Sequence, residues 1–233
     1  MLKLILQIGT ILTASLLIGC SISPTATASV KTSSFPLTAP TLADGRVIIQ
    51  QTSLRSLGGT LYGHGKTAVL LASRGGYSET EWSAFAQVLA GEGFTALTMG
   101  SLDDESATIL NVGYAIDFLH ENGFDKIICI GASNGASGCA HNATKPEIVG
   151  LVLVTYHGDA DLSKITSPKL FIAAELDTVY RPKTEQGYQA ASEPKALIIV
   201  PGTAATGPEL LDSSGGGDLQ TTIVDFVEQC VGQ

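Results

Sequence analysis

The sequence predicts an α/β domain with a mostly parallel central sheet of about seven to eight strands and helices on both faces. Three observations carry this. Short apolar runs alternate along the chain with longer segments of helical period. Several of those runs are continuously apolar, as strands buried on both faces are. The run at 127–130 stops at Gly131-Ala132-Ser133-Asn134-Gly135, a G-x-S-x-G spacing followed at once by a helix-compatible stretch. Alternation of this kind gives a parallel sheet covered on both sides.

The elements follow in order. Residues 47–50 and 61–62 are the first two strands, and their short connection predicts an antiparallel edge. Residues 68–72, Ala-Val-Leu-Leu-Ala, are apolar throughout and read as a central strand. The segment 79–93 sets Trp82, Phe85, Val88 and Leu89 on one helical face. A strand at 95–99 precedes a helix over 106–122, whose stripe is Ile109, Val112, Ala115, Ile116 and Leu119. Strands follow at 127–130, 151–155, 170–173 and 196–200. The last helix, 219–231, carries Ile223, Phe226 and Val227. These stripes are core faces and not binding surfaces. There is no internal repeat.

The N-terminus predicts an address. Met1-Leu2-Lys3 supplies one positive charge, and residues 4–19 form an apolar stretch too short for a comfortable membrane span. It ends in Leu17-Ile18-Gly19-Cys20, which resembles the bacterial lipobox. The resemblance implies cleavage before Cys20 and lipidation of that cysteine, and two or more acyl chains anchor a protein stably. An ordinary signal peptide with an unrelated cysteine is the alternative. Residues 21–43 are rich in Ser, Thr, Ala and Pro and read as a flexible tether. The expected organisation is a signal peptide at 1–19, a lipidated Cys20 and tether at 20–43, and one domain at 44–233. About 190 of the 233 residues remain for that domain, enough for a sizeable single core. The expected location is the bacterial cell envelope, lipid-anchored on the extracytoplasmic side.

Charge narrows the partners. The formal net charge is −9, and loss of residues 1–19 removes Lys3 and no acid, giving −10. An acidic chain without a basic cluster argues against nucleic acid. It also argues against electrostatic docking on anionic lipid, so the lipid on Cys20 must hold the protein at the membrane. No Cys/His cluster has metal-ligand spacing, and neither metal nor other cofactor is expected. Cys129, inside an apolar run, reads as a buried small hydrophobe. Cys139 and Cys230 are able to pair in an oxidising compartment, although no spacing demands it. A monomer is expected.

In order along the chain stand Gly59-Thr60-Leu61-Tyr62-Gly63, the strand 68–72, and the loop Ser73-Arg74-Gly75-Gly76. Then come Trp82 and Phe85, the elbow at 131–135, the run 170–177 ending in Glu175-Leu176-Asp177, and Ile198-Ile199-Val200-Pro201-Gly202. From about Gly45 to the C-terminus this order resembles the α/β-hydrolase superfamily, in particular its small lidless bacterial members. The resemblance implies that Ser133 is the nucleophile and that the backbone N–H groups of Asn134 and Gly75 form the oxyanion hole. It implies that Asp177 is the acid that orients the base, with a helix cap or loop acid as the alternative.

Two positions depart from the family pattern. The loop after the first central strand begins Ser73-Arg74 where the family usually has His-Gly. After Pro201-Gly202 the run Thr203-Ala204-Ala205-Thr206-Gly207 has Thr206 where the base histidine should stand. Threonine does not accept a proton near neutral pH, and losing a triad base can cost about six orders of magnitude in rate. Of the four histidines, His64 reads as a turn residue, and His120 sits near a helix C-terminus, where a cation suits the dipole. His141 lies two helical turns past Ser133. His157 follows the strand 151–155 at the sheet edge where α/β folds gather their sites, which makes it the candidate substitute base. The bland reading is a loop histidine. The expected function is therefore ester hydrolysis by Ser133 on a small-molecule ester. The alternative is a hydrolase-fold binding protein that has lost turnover.

Overall fold

The computed structural model describes residues 45–51, 56–213 and 218–232. The expected signal peptide, Cys20 and the tether lie outside the described residues. The eight described strands are β1 (Arg46–Gln51), β2 (Ser56–Tyr62), β3 (Ala68–Gly75), β4 (Thr95–Ser101), β5 (Ile127–Ala132), β6 (Ile148–Val154), β7 (Lys169–Ala174) and β8 (Lys195–Val200). They form one sheet in the order β1-β2-β4-β3-β5-β6-β7-β8. β2 pairs antiparallel with β1 and β4, which is the expected antiparallel edge, and every pairing from β4 to β8 is parallel.

The sheet is covered on both faces because alternate residues of each strand point to opposite sides. In β5, Ile127 and Cys129 face one layer while Ile128 and Ile130 face the other. In β3, Leu70 and Ala72 divide from Val69 and Leu71 in the same way. The first layer is formed by α2 (Glu105–Glu121), α3 (Asn134–His141) and α4 (Arg181–Ala190). The second is formed by α1 (Ser83–Gly91) and α5 (Leu219–Val231). Buried strands need apolar residues on both sides, which is why these runs read as continuous rather than alternating.

Two expectations need correction or extension. The first concerns cysteine. Cys129 is not a lone buried thiol, because it forms a disulfide with Cys139, with Cα atoms 5.6 Å apart. The chain doubles back from β5 into α3, so residues ten apart in sequence come face to face. Cys230, the other candidate partner for Cys139, is a free thiol buried beside Gly150. Burial pushes that thiol up to about 11.

The second concerns α4, which the periodicity does not announce. Its buried face is made of Thr184 and Gly187, so it shows no apolar stripe. A Cβ on Gly187 would come within 2.7 Å of the Tyr156 ring, so the helix lies close against that aromatic. Pro182 stands in its first turn, where a missing N–H costs nothing.

Among the described residues no helix is long and apolar enough to cross a membrane. On α2, Ile116 is fully buried whereas Leu110 is 62% exposed. Ile116→Ala should lower unfolding free energy by about 2–5 kcal/mol. Leu110→Ala should stay within about 0.5 kcal/mol. Urea unfolding of the two variants checks the assignment of the core face.

Candidate active site

The site starts from a backbone constraint. β5 ends at Ala132 and α3 begins at Asn134, so Ser133 alone makes the turn. Its φ of 52° and ψ of −118° lie in a region that L-residues rarely adopt. Small neighbours make the turn possible. A Cβ on Gly131 would stand 2.3 Å from the Gly135 carbonyl carbon, and one on Gly135 would stand 2.3 Å from the Ala72 carbonyl oxygen. The turn is held by hydrogen bonds from Ser133 N to Val154 O (3.0 Å) and from Ser137 N to Ser133 O (3.0 Å).

A second strained turn stands beside it. Among the described residues only Ser133 and Thr155 combine a side chain with a positive φ, 52° in both. For the β-branched Thr155 this is unusual and costs on the order of 1–3 kcal/mol. Thr155 follows the last residue of β6, with its N–H donating to Ile172 O at 2.8 Å. Thr184 Oγ1 donates to Tyr156 O at 3.0 Å and fixes the next residue. The chain is thereby aimed so that His157 Nε2 lies 3.0 Å from Ser133 Oγ. The imidazole is largely buried and lies 5.4 Å, centroid to centroid, from the Tyr180 ring. Its Nδ1 faces Glu105 Oε1 at 3.9 Å. Burial pushes the adjacent Tyr156 phenol up to about 12, so that hydroxyl stays protonated at neutral pH.

The other side of Ser133 is built from β3 and the first turn of α3. Asn134 Nδ2 donates to the carbonyls of Leu102 and Asp103, both at 3.1 Å, which pins the start of the helix. Backbone N–H groups in a first helical turn lack intrahelical partners and favour negative charge. Gly75 lies against Asn134, since a Cβ there would meet Asn134 Nδ2 at 2.5 Å. Ser133, Asn134, Gly75 and His157 all line one open cleft of about 460 Å³.

Thr206 also lines this cleft, and the two departures from the family pattern meet there. Ser73 turns inward and its Oγ donates to Ser78 O at 2.9 Å. Arg74 Nη1 donates to Thr206 Oγ1 at 3.0 Å. The same guanidinium pairs with Glu81 at 2.9 Å and with Glu209 at 3.1 Å, and lies 4.0 Å over the Tyr77 ring. Burial disfavours its charge, but Glu81 and Glu209 more than compensate and hold its pKa above the ordinary value. Gly207 has a φ of 59°, and a Cβ there would strike the Arg74 stem at 2.7 Å.

Asp177 is brought to the end of β7, as its position in the sequence implies. Its Oδ1 accepts from Val179 N (3.0 Å) and Tyr180 N (2.9 Å), organising the turn before α4. Its Oδ2 is buried without a hydrogen-bond partner, and among the described residues no hydrogen bond or ion pair joins Asp177 to His157. His64 and His120 do not line the cleft, and His141 pairs with Asp159 at 3.0 Å. Sequence reasoning missed Glu105, Thr155 and Tyr180. A glutamate in the first turn of a helix is a common choice, and neither strain nor ring stacking leaves a trace in residue type.

No family model matches the sequence, and no curated protein is similar to it in sequence. Solved structures are similar in fold. A dienelactone hydrolase from Anabaena variabilis shares 20% identity at a TM-score of 0.62, over 77% of this chain and 92% of its own. Est1E from Butyrivibrio proteoclasticus shares 12% at 0.65, over 81% and 100%. A monoacylglycerol lipase from Paleococcus ferrophilus shares 13% at 0.63, over 76% and 100%. The chain has the α/β-hydrolase fold, with the strand order and elbow described above.

The Arg74–Glu81 pair is nearly closed from solvent, with side chains 12% and 10% exposed. Arg74→Met should leave the Glu81 carboxylate uncompensated and lower stability by about 2–3 kcal/mol. Removing both charges in Arg74→Met/Glu81→Gln should be less damaging than the single change. Denaturant unfolding of the two variants makes the comparison.

Proposed function

We propose that this protein is a serine hydrolase of small carboxylic esters in which Ser133 is the nucleophile and His157 the general base. The observation that carries the reading is the 3.0 Å separation of Ser133 Oγ and His157 Nε2. That distance is within reach for proton transfer, and a serine needs such a base to become nucleophilic. In the proposed reaction the Ser133 hydroxyl proton passes to Nε2 as Oγ attacks the ester carbonyl. The oxyanion forms against the N–H groups of Asn134 and Gly75. His157 then returns its proton to the leaving alcohol, and an acyl-serine remains. Water, deprotonated by the same imidazole, releases the acid and restores Ser133. No metal or cofactor is invoked. Structures of esterases and lipases with this fold support the ester class. The polar, open cleft suits a small substrate.

The same proposal gives the protein a place. The Leu17-Ile18-Gly19-Cys20 motif behind a short apolar stretch supports lipidation at Cys20 and an extracytoplasmic position in a bacterial envelope. Cys20→Ala should move the protein from the membrane fraction to the soluble fraction and abolish metabolic palmitate labelling.

A second reading, a binding protein without turnover, is favoured by one observation. Asp177 Oδ2 is buried and unpartnered beside a site that lacks its histidine at 206. Thr206→His separates the two. With His157 as base it should bring no gain in ester hydrolysis, because the imidazole displaces the Arg74–Thr206 hydrogen bond. A large gain would favour the binding protein without turnover.

Ser133→Ala should reduce hydrolysis of p-nitrophenyl acetate to background and abolish fluorophosphonate labelling. His157→Ala should lower kcat by about 10²–10⁴-fold with a small change in KM. Turnover that survives both substitutions would sink the hydrolase reading.

A further inference from the structure

Glu105 is the first residue of α2, and its carboxylate reaches the far side of the imidazole from Ser133. Oε1 stands 3.9 Å from His157 Nδ1. That oxygen is closed from solvent and has no hydrogen bond, although the side chain as a whole is 40% exposed. Glu105 is not needed to cap its helix, because Asp104 Oδ1 already accepts from Ala107 N at 2.9 Å. It is a buried acceptor oxygen without a partner, next to a ring nitrogen whose proton the reaction requires.

Resting on the Ser133–His157 reading, we propose that Glu105 is the positioning acid of this site, taking the part that the fold ordinarily gives to an acid after β7. For Nε2 to accept the serine proton, the neutral imidazole must carry its own proton on Nδ1. A carboxylate facing Nδ1 selects that tautomer and balances the imidazolium that forms when Ser133 attacks. Nδ1 keeps its proton throughout and Glu105 stays ionised. At 3.9 Å the contact is longer than a hydrogen bond and becomes an ion pair only when the ring takes the Ser133 proton, and catalytic contacts of this kind shorten when substrate binds.

The other groups around His157 do not compete for this part. Tyr180 meets the imidazole with its ring, tilted by 36°, at 5.4 Å between centroids. Asp159, in the same loop, is paired with His141. Arg74 is committed to Glu81 and Glu209. Lys183 and Asp103 line the cleft without a recorded contact to the imidazole, and Asp177 Oδ1 is engaged by the turn before α4.

The test is the 15N NMR spectrum of the neutral His157 ring in the wild-type protein and in Glu105→Ala, with thermal stability as the control. The wild-type ring should carry its proton on Nδ1, and the variant should move it toward Nε2, because no acceptor then faces Nδ1. A wild-type ring protonated on Nε2, or a tautomer that the variant leaves unchanged, overturns the proposal whether or not the protein turns over esters. Kinetics supply the second arm. Glu105→Gln should lower kcat by about 10²-fold and leave KM within about twofold. In the His157→Ala background it should cost nothing further, because the two residues act as a unit. An equal loss in both backgrounds would mean that Glu105 acts on the fold and not through His157. Turnover that is insensitive to both Ser133→Ala and His157→Ala would defeat the hydrolase reading alone, and the ring tautomer would still decide Glu105.

Discussion

The close approach of β5 and α3 at the elbow is the constraint on which the rest of the site depends. No side chain fits between Gly131 and Gly135, or between Gly135 and the end of β3. The helix therefore sits directly over the central strands, and Ser133 is the residue left to absorb the turn at positive φ. Such strain persists only where the surroundings over-determine it. Here they do so twice over. Backbone hydrogen bonds hold Ser133 to β6 and to Ser137, and the Cys129–Cys139 disulfide ties the same strand to the same helix. The acceptor for Ser133 N is Val154 O, one residue before the strained Thr155 and three before His157. One strand end thus fixes the serine and delivers the histidine.

The two departures at Ser73-Arg74 and Thr206 are a single structural feature. The guanidinium of Arg74 spans the gap between the end of β3 and the loop after β8, and Thr206 Oγ1 accepts its bond at the far end. Glu81 and Glu209 neutralise the charge that this brings into the cleft wall. Gly207 keeps the space that the arginine stem needs. A histidine at 206 and an arginine at 74 would compete for this volume, so the two substitutions are physically coupled. The loop after β8 is held as part of the wall and presents Thr206 to the cleft.

Much of this was legible in the sequence and some of it was not. The strand positions, the antiparallel edge and the elbow follow from apolar runs and glycine spacing, because burial on both faces leaves a continuous signal. α4 was illegible, because Thr184 and Gly187 bury a helix face without hydrophobicity. The pairing of Cys129 with Cys139 depends on a chain reversal that residue types do not encode, whereas Cys129 in its apolar run reads as a buried hydrophobe and leaves Cys230 as the candidate partner for Cys139. His157 was reachable by elimination and by its place after a strand. What brings it to Ser133 is the backbone strain at Thr155, which no residue type announces. Asp177 stands where the sequence implies, yet its contacts are those of a turn acid. Position at the end of a strand is legible from sequence, but partnership depends on which neighbour is present to receive it.

The sheet order explains why a base on β6 is geometrically sound. β5 lies between β3 and β6. The serine therefore stands between Gly75 on one neighbouring strand and His157 just past the end of the other. A base after β8 would have to reach across two intervening strand ends on a longer loop. A base after β6 is held instead by ladder pairing, from Ala132 opposite Val154 and from the Ser133 N–H to Val154 O. Ester bound over Ser133 would then have its carbonyl oxygen toward β3 and its leaving oxygen toward β6, beside the imidazole that must protonate it. Glu105 enters from the start of α2, the helix that follows β4. Components drawn from the adjacent strands β4-β3-β5-β6 are positioned by register, which changes less than loop conformation does. With Thr206 in the loop after β8, the imidazole at hydrogen-bonding distance from Ser133 Oγ is that of His157, delivered by the end of β6.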